Sequence, residues 1–449
     1  MKSTMVIVAF ALLALVGSSS TVRLVRSPSA LSGARLARVP IHCAPRASTA
    51  DEARPRRVRF LFSDTGGGHR ASALALQGAI ESMYPGQIEC DLVDLFVASE
   101  VWPFCEAPAA YRWMAERPAY WKAFFEAGAT PFGAWLNEVV TDCLCGAAYR
   151  KLLAASPRPD CVVSVHPLMQ GPALRALADI DGGIRKTPFA TVVTDLGSAH
   201  PKWFHTGVDK CYVPSDVLVD IARGVGLETE QVVLHGLPIR KAFWQGRTPL
   251  GSKQVVRQTL GLDSETPTCL VVGGGDGMGG LFSVASAVGS ALGEREGSSQ
   301  LVVVCGRNEE CKSSLGAVKW PSNVHVMVLG FVSEMEQWMG AADALVTKAG
   351  PGTIAEAAAM GLPCVLSGYL PGQEEGNVDF VISGGFGKLN EDPAEIGKTV
   401  RQWLDEPDML AAMSTAASAA ARPDATSAIA SDLAKLVLGE VALLSQPVT

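Results

Sequence analysis

The decapeptide SDTGGGHRAS, residues 63 to 72, follows directly on the apolar run Val58-Arg59-Phe60-Leu61-Phe62. Three glycines let a backbone approach a ligand closely, and histidine is the side chain that titrates nearest neutral pH. His69, beside Gly66, Gly67 and Gly68, is therefore a candidate proton acceptor on a ligand-binding turn. The alternative is a tight strand-to-helix turn with an incidental imidazole. A second stretch, KAGPGTIAEAAAMGLPCVLSGYLPGQEEGN, starts at Lys348. Pro351 suits the first position of a helix, and Gly350 and Gly352 clear space for an anion. The N–H groups there, with the helix dipole, hold phosphate without a metal. Glu356 lies one turn after Thr353, where a carboxylate can accept both hydroxyls of a ribose; the alternative is a capping box from Thr353 to Glu356. Gln373, Glu374 and Asn377 follow in a loop whose amides and carboxylates suit sugar hydroxyls.

Other residues carry weaker signals. VVGGGDGMGG (271 to 280) holds a GxGxxG match from Gly275, but the next strand ends in Val304-Cys305-Gly306-Arg307 without the acidic residue a nicotinamide dinucleotide needs. What remains is a phosphate or hydroxyl resting on N–H groups near Gly274 and Gly275. Asp195 ends the run TVVTD, where it orients His69, takes the proton itself or caps a helix. Arg307 and Lys348 either add positive charge near a diphosphate or are surface cations. His166 precedes Pro167 at a strand end, and His200 and His205 flank PKWF; structural or acceptor-positioning roles fit all three. No DxD-type triad sits at a strand end, so no metal and no obligatory cofactor is expected. Cys143-x-Cys145 is a weak zinc signal, and the remaining cysteines read as buried free thiols.

Apolar strand-like runs near 58–63, 88–95, 160–165, 189–194, 210–213, 231–235, 268–273, 301–305, 323–329, 344–347 and 363–367 must position these residues. Helical patterns such as Ala71 to Met83 and Leu281 to Leu292 alternate with them. Such alternation means parallel sheets covered on both faces. A chain of 449 residues is too long for one core. The expected fold class is α/β, with two doubly wound domains at 57–245 and 246–435, a linker at Lys241 to Ser252 and helices from Met409 onward. Ligands bind beyond the carboxyl ends of such strands, in an interdomain cleft.

Residues 1–50 stand apart. Lys2 precedes an apolar run from Met5 to Val16, followed by serines, alanines and five arginines. That is a signal segment followed by transit-peptide composition, pointing to a plastid reached through the secretory route; the rival is plain secretion with a basic pro-segment. The stretch holds six positive charges and no negative ones, so without it the net charge falls from −7 to −13. An acidic mature chain argues against nucleic acid as a partner. Residues 102–135 hold ten of the chain's thirty aromatics. Trp113, Tyr120, Trp121, Phe124 and Phe125 are candidate anchors of a monotopic membrane-docking segment; the alternative is an aromatic subdomain core.

The motifs SDTGGGHRASA, SVHPLMQ (164 to 170), VVTDLGSAHPKWFH (192 to 205), GLPIR (236 to 240), GGGDGMG and KAGPGTIAEA…GLP…YLPGQEEGN resemble those of plant and algal monogalactosyldiacylglycerol synthases, in the same order and across most of residues 58 to 390. The same superfamily contains the bacterial transferase that adds N-acetylglucosamine to lipid-linked peptidoglycan precursors. The resemblance implies a GT-B fold of two facing Rossmann-like domains, with the acceptor on the first and the UDP-sugar on the second. It implies inverting transfer of galactose from UDP-galactose to diacylglycerol on a plastid envelope membrane, with anionic lipids as possible activators. It places uracil recognition at Phe331 and Val332, Phe331 alternatively being a core residue. Rival readings are glucose as the sugar, a UDP-sugar 2-epimerase and a non-catalytic carrier.

Overall fold

The computed structural model describes residues 54–245, 250–274 and 280–439. The targeting stretch, residues 246–249 of the expected linker, and Gly275 with most of the GxGxxG match lie outside the described residues. The first unit begins with β1 (Arg56–Phe62), α1 (Gly67–Met83), β2 (Ile88–Asp94), α2 (Leu95–Ala98), α3 (Ala107–Ala115), α4 (Pro118–Ala129) and α5 (Pro131–Ala154). It continues with β3 (Cys161–Ser164), α6 (Gln170–Ile180), β4 (Phe189–Val192), β5 (Lys210–Val213), α7 (Asp216–Gly224) and β6 (Val232–Leu234). All six strands pair parallel in the order β2-β1-β3-β4-β5-β6, with Leu61 opposite Ser164 across β1 and β3. The β-branched and aromatic runs VRFLF, CVVS and FATV are buried on both faces, as a doubly covered parallel sheet requires.

The second unit contains α8 (Lys253–Thr259), β7 (Thr268–Val272), α9 (Leu281–Gly293), β8 (Ser299–Val304), α10 (Glu309–Gly316), β9 (Val324–Leu329) and α11 (Met335–Ala341). It continues with β10 (Ala344–Thr347), α12 (Pro351–Ala359), β11 (Cys364–Leu366), α13 (Glu375–Ser383), β12 (Gly387–Leu389), α14 (Pro393–Asp405) and α15 (Pro407–Ala420). Its strand order is β12-β11-β10-β7-β8-β9, again all parallel. The strand β12 had no apolar run to announce it: Gly387-Lys388-Leu389 is extended because it pairs with Cys364–Leu366, and a side chain at Gly387 would strike the Cys364 carbonyl.

The chain changes unit at Leu234–His235, ahead of the boundary expected at 245/246. Leu237, Ile239 and Phe243 explain this, because all three are buried in the second unit's core with Leu270, Leu345 and Ala357. Residues Thr194–Ala199 also group with the second unit, and from Ser427 the last helix, α16 (Ala425–Leu438), groups with the first. The break expected at Arg422-Pro423 separates α15 from α16. Within the second unit Gly197 and Gly376 meet backbone to backbone: a Cβ on Gly197 would lie 1.8 Å from the Gly376 carbonyl oxygen. The cysteines of the described residues are free thiols; Cys143 is exposed while Cys145 is buried, so they do not share a helix face.

Candidate functional site

Both sheets contain one position where consecutive connections leave in opposite directions. In the first unit it lies between β1 and β3, in the second between β7 and β10. Ligands of open α/β sheets bind outside the carboxyl ends of the strands at this switch point. The loops after these four strands are the glycine-histidine turn, the His166 turn, the Gly274 turn and the Gly350 turn.

The glycine stretch is tighter than a loop. Gly66 takes φ +90° and caps α1, so Gly67, Gly68 and His69 already belong to its first turn. A side chain at Gly66 would meet the Tyr111 hydroxyl at 3.2 Å, whereas Gly68 faces open space. Opposite charges flanking the glycines clip the turn: Arg70 Nε donates to Asp64 Oδ1 (2.7 Å), and the Asp64 amide donates to Asp94 Oδ2 (3.0 Å). Neither Arg70 nor Asp64 stood out in the sequence, although their placement on either side of the glycines was the available signal.

His69 is 7% exposed. Burial lowers its pKa to about 4, against a hydrogen bond to the Val165 backbone and the charge of Asp64, so the ring is neutral at neutral pH. Its N–H donates to the Val165 carbonyl, the residue before His166. Asp195 is itself buried, and the short helix that follows it is capped by His200, so it is no helix cap. The His166 ring lies edge-on to His69 with centroids 4.8 Å apart, and Trp203 lies 5.9 Å from His69. His166 Nδ1 accepts from the Leu168 amide (3.2 Å), which places its proton on Nε2, 2.9 Å from the Thr65 hydroxyl. His200 Nδ1 accepts from the Lys202 amide (3.1 Å), and the ring also bonds the Phe125 backbone. These two histidines therefore brace loops, with both ring nitrogens of each in use.

In the second unit Gly350 caps α12, which puts Thr353 in the first turn and excludes the Thr353–Glu356 capping box. Gly352 faces open space. Glu356 is buried and held at both oxygens by Arg240 of the GLPIR motif, Nε to Oε1 at 2.7 Å and Nη2 to Oε2 at 2.8 Å. Burial pushes the Glu356 carboxyl up, and the guanidinium beside it opposes that rise. Arg240, which also lies over the Phe243 ring, was not among the expected site residues. Its distance of 116 positions from Glu356 hides the pair from any local reading.

The Gln373–Asn377 loop divides its tasks. Asn377 is fully buried and its carboxamide is committed to backbone: Oδ1 accepts from the Leu196 amide (3.0 Å) and Nδ2 donates to the Ala349 carbonyl (3.0 Å). Glu374 accepts from the Leu370 amide (2.9 Å) and pairs with Lys348 at 3.4 Å, so neither is the lone surface charge that was the alternative for Lys348. These three residues fix the loop. Gln373 differs, because its Oε1 is buried with no hydrogen-bond partner. Phe331 is 65% exposed, which excludes a core role, and the Arg307 guanidinium lies 5.6 Å from its ring centre. Val332 is half-buried against the core beneath. Gly274 has φ +71° and ends the described part of its turn.

Of the five expected anchors only Tyr120 is exposed. Trp121 is buried, edge-on to Tyr111 with centroids 5.1 Å apart, and Trp113 is half-buried beneath Arg117. Phe124 and Phe125 are half-buried, Phe125 against His200. Aromatic packing claims the inner rings, and the outward apolar face belongs to α5, where exposed Phe132, Trp135 and Val139 stand at helical spacing.

His69, His166, His200 and His205 are all held below their ordinary value of 6.5 by burial. Below pH 6.5 the unfolded chain takes up protons that these rings refuse, His69 and His200 until about pH 4, so native stability is full above 6.5 and falls as the pH drops through that window. Thermal unfolding between pH 7.5 and 4 should show a melting temperature that drops as the pH falls, and the drop should shrink in His200→Asn. A flat profile would contradict the buried, neutral rings.

A family model for monogalactosyldiacylglycerol (MGDG) synthase matches residues 69–239, and one for the glycosyltransferase family 28 C-terminal domain matches residues 268–429. The chain is 39% identical over 388 residues to the chloroplastic monogalactosyldiacylglycerol synthase 1 of Arabidopsis thaliana, covering 86% of this chain and 72% of that protein. It is 41% identical over 387 residues to the chloroplastic synthase of Spinacia oleracea, covering 85% and 73%. Among solved structures, MurG of Acinetobacter baumannii superimposes with a TM-score of 0.55 at 16% identity over 85% of this chain and all of that one, which places the fold in the GT-B class. With two switch-point sites on two Rossmann-like sheets, and relatives matched over most of their length, the chain belongs to the monogalactosyldiacylglycerol synthase family.

Proposed function

We propose that this chain transfers galactose from UDP-galactose to 1,2-diacylglycerol, forming monogalactosyldiacylglycerol with inversion at the anomeric carbon. The observation that carries the reading is a neutral, buried imidazole at the first unit's switch point in a chain of this family. The acceptor hydroxyl oxygen forms a bond to the anomeric carbon and gives its proton to the unprotonated nitrogen of His69; Asp195 is the second candidate for that proton. The bond from the anomeric carbon to the diphosphate breaks, and UDP departs with its electron pair. Backbone N–H groups at the start of α12, the open approach at Gly352 and the Lys348 ammonium hold the developing charge, with no metal required. Glu356, steadied by Arg240, takes the ribose hydroxyls, Phe331 stacks on uracil with Val332 behind it, and Gln373 Oε1 meets a sugar hydroxyl. Glucose as the sugar and a 2-epimerase activity are not favoured by relatives that are named for galactolipid synthesis.

Diacylglycerol vesicles with labelled UDP-galactose or UDP-glucose test this directly. Labelled galactolipid should form, with chelator leaving the rate unchanged. His69→Ala should lower kcat by about a hundredfold or more while UDP binding persists. Release of free UDP without glycolipid, or a loss of less than about threefold in His69→Ala, would refute the mechanism.

Membrane docking completes the reading. No helix of the described residues is long and apolar enough to cross a bilayer. We assign peripheral attachment to Tyr120 of α4 and the outward face of α5, with anionic lipids as activators. Trp135→Glu should weaken co-flotation with vesicles, more steeply when they contain phosphatidylglycerol, and Trp121→Phe should not; equal flotation of all three chains would dismiss the docking face. The N-terminal stretch addresses the protein to the envelope of a plastid entered through the secretory route. A fluorescent reporter fused to residues 1–56 should reach that plastid, and its secretion would reject the assignment.

A further inference from the structure

Helices α4, α5 and α6 and the segment from His200 to His205 surround a cavity of about 190 Å³. Its wall is built from small residues, Gly128, Ala129, Ala134, Gly171 and Pro172, together with Phe204. Its polar groups cluster. Lys202 Nζ donates to Glu138 Oε1 (2.7 Å) and to the Ala134 carbonyl (2.8 Å), which uses two of its three N–H bonds. His205 Nδ1 accepts from the Gly207 amide (2.9 Å), so Nε2 is that ring's donor, and Glu138 lies close enough to act on it electrostatically. Drug-sized ligands occupy roughly 300 Å³ or more, so this cavity suits one segment of a larger molecule.

N–H donors above a wall of small apolar residues match one chemistry: an ester carbonyl followed by the first methylenes of an acyl chain. The position fits as well. Pro167 lines the cavity next to His166, whose ring lies against His69, and Trp203 between Lys202 and Phe204 lies 5.9 Å from His69. The opposite boundary is α5, which carries the outward apolar face. We infer that this cavity is an acyl-ester subsite for the lipid acceptor, with Lys202 donating to the ester carbonyl, a role that rests on the galactosyl transfer proposed above. A substrate lifted from the bilayer along α5 is thereby registered by its ester, with its hydroxyl end toward His69.

Acceptors with and without ester carbonyls test the subsite. Vesicles of the full chain with dioleoylglycerol or its 1,2-di-O-oleyl ether should show a preference for the ester of about tenfold in kcat/KM, the worth of one hydrogen bond to a charged donor. Lys202→Met should bring that ratio to within about twofold of unity. A Cβ on Gly128 meets nothing nearer than His200 Nε2 at 3.7 Å, so a larger side chain can enter the cavity from there. Gly128→Leu should raise KM for both acceptors about tenfold and leave KM for UDP-galactose unchanged. The two substitutions act on different walls, so failure of one variant to fold leaves the other decisive. An ester-to-ether ratio near one in the unaltered chain, or a ratio unmoved by Lys202→Met, overturns the subsite while galactosyl transfer stands. If the unaltered chain makes no galactolipid from either acceptor, the functional reading beneath it falls as well.

Discussion

Parallel pairing of β1 with both β2 and β3, and of β7 with both β8 and β10, is the constraint from which the chemistry follows. A strand flanked on both sides by later strands forces successive connections apart, and the crevice between them is where backbone N–H groups and polar side chains can meet a ligand without disrupting the sheet. The central strands are buried on both faces, so they tolerate apolar residues almost exclusively. Polar function is thereby expelled to the loops at their carboxyl ends. That is why His69 follows β1, His166 follows β3, and the Gly274 and Gly350 turns follow β7 and β10.

Much of the polarity in these loops goes into holding the loops themselves. Asn377, Glu374 and Lys348 form a closed set of contacts around residues 348–377, and Arg70 with Asp64 does the same for the glycine turn. A buried polar group without a partner costs free energy, so a loop rich in carboxylates and amides stays ordered only if most of them are satisfied internally. The exceptions carry the information. Gln373 Oε1 is buried and unsatisfied, Phe331 is an exposed ring beside a guanidinium, and Gly352 and Gly68 leave room at two helix starts. His69 is held neutral by its burial, and the carbonyl of Val165 accepts its ring N–H.

The aromatic helices show the same economy. Trp121, Tyr111 and Phe104 pack inward as a small core, and Phe125 abuts the His200 that braces the neighbouring segment. Apolar surface that cannot be buried this way is gathered on α5. The salt links from Arg175 and Lys202 to Glu138 tie that helix to α6 and to the segment whose Trp203 lies beside His69. The outward apolar face of α5 and the segment beside His69 are therefore joined by short, partly buried contacts within one unit.

Taken alone, the sequence determined the strand inventory apart from β12, the doubly wound class, the glycine turns, and the family through motifs in fixed order. These depend on local quantities: apolar runs, glycine and proline spacing, and helix periodicity. Which aromatic rings face outward, that Arg240 grips Glu356, that Asn377 is buried in a backbone clasp, and that residues 194–199 and 235–245 group with the second unit were decided by the tertiary structure. Each of these depends on groups separated by dozens to nearly two hundred positions. Side-chain pairing and burial are settled by which surfaces meet after the sheets have formed, and no local pattern encodes that meeting.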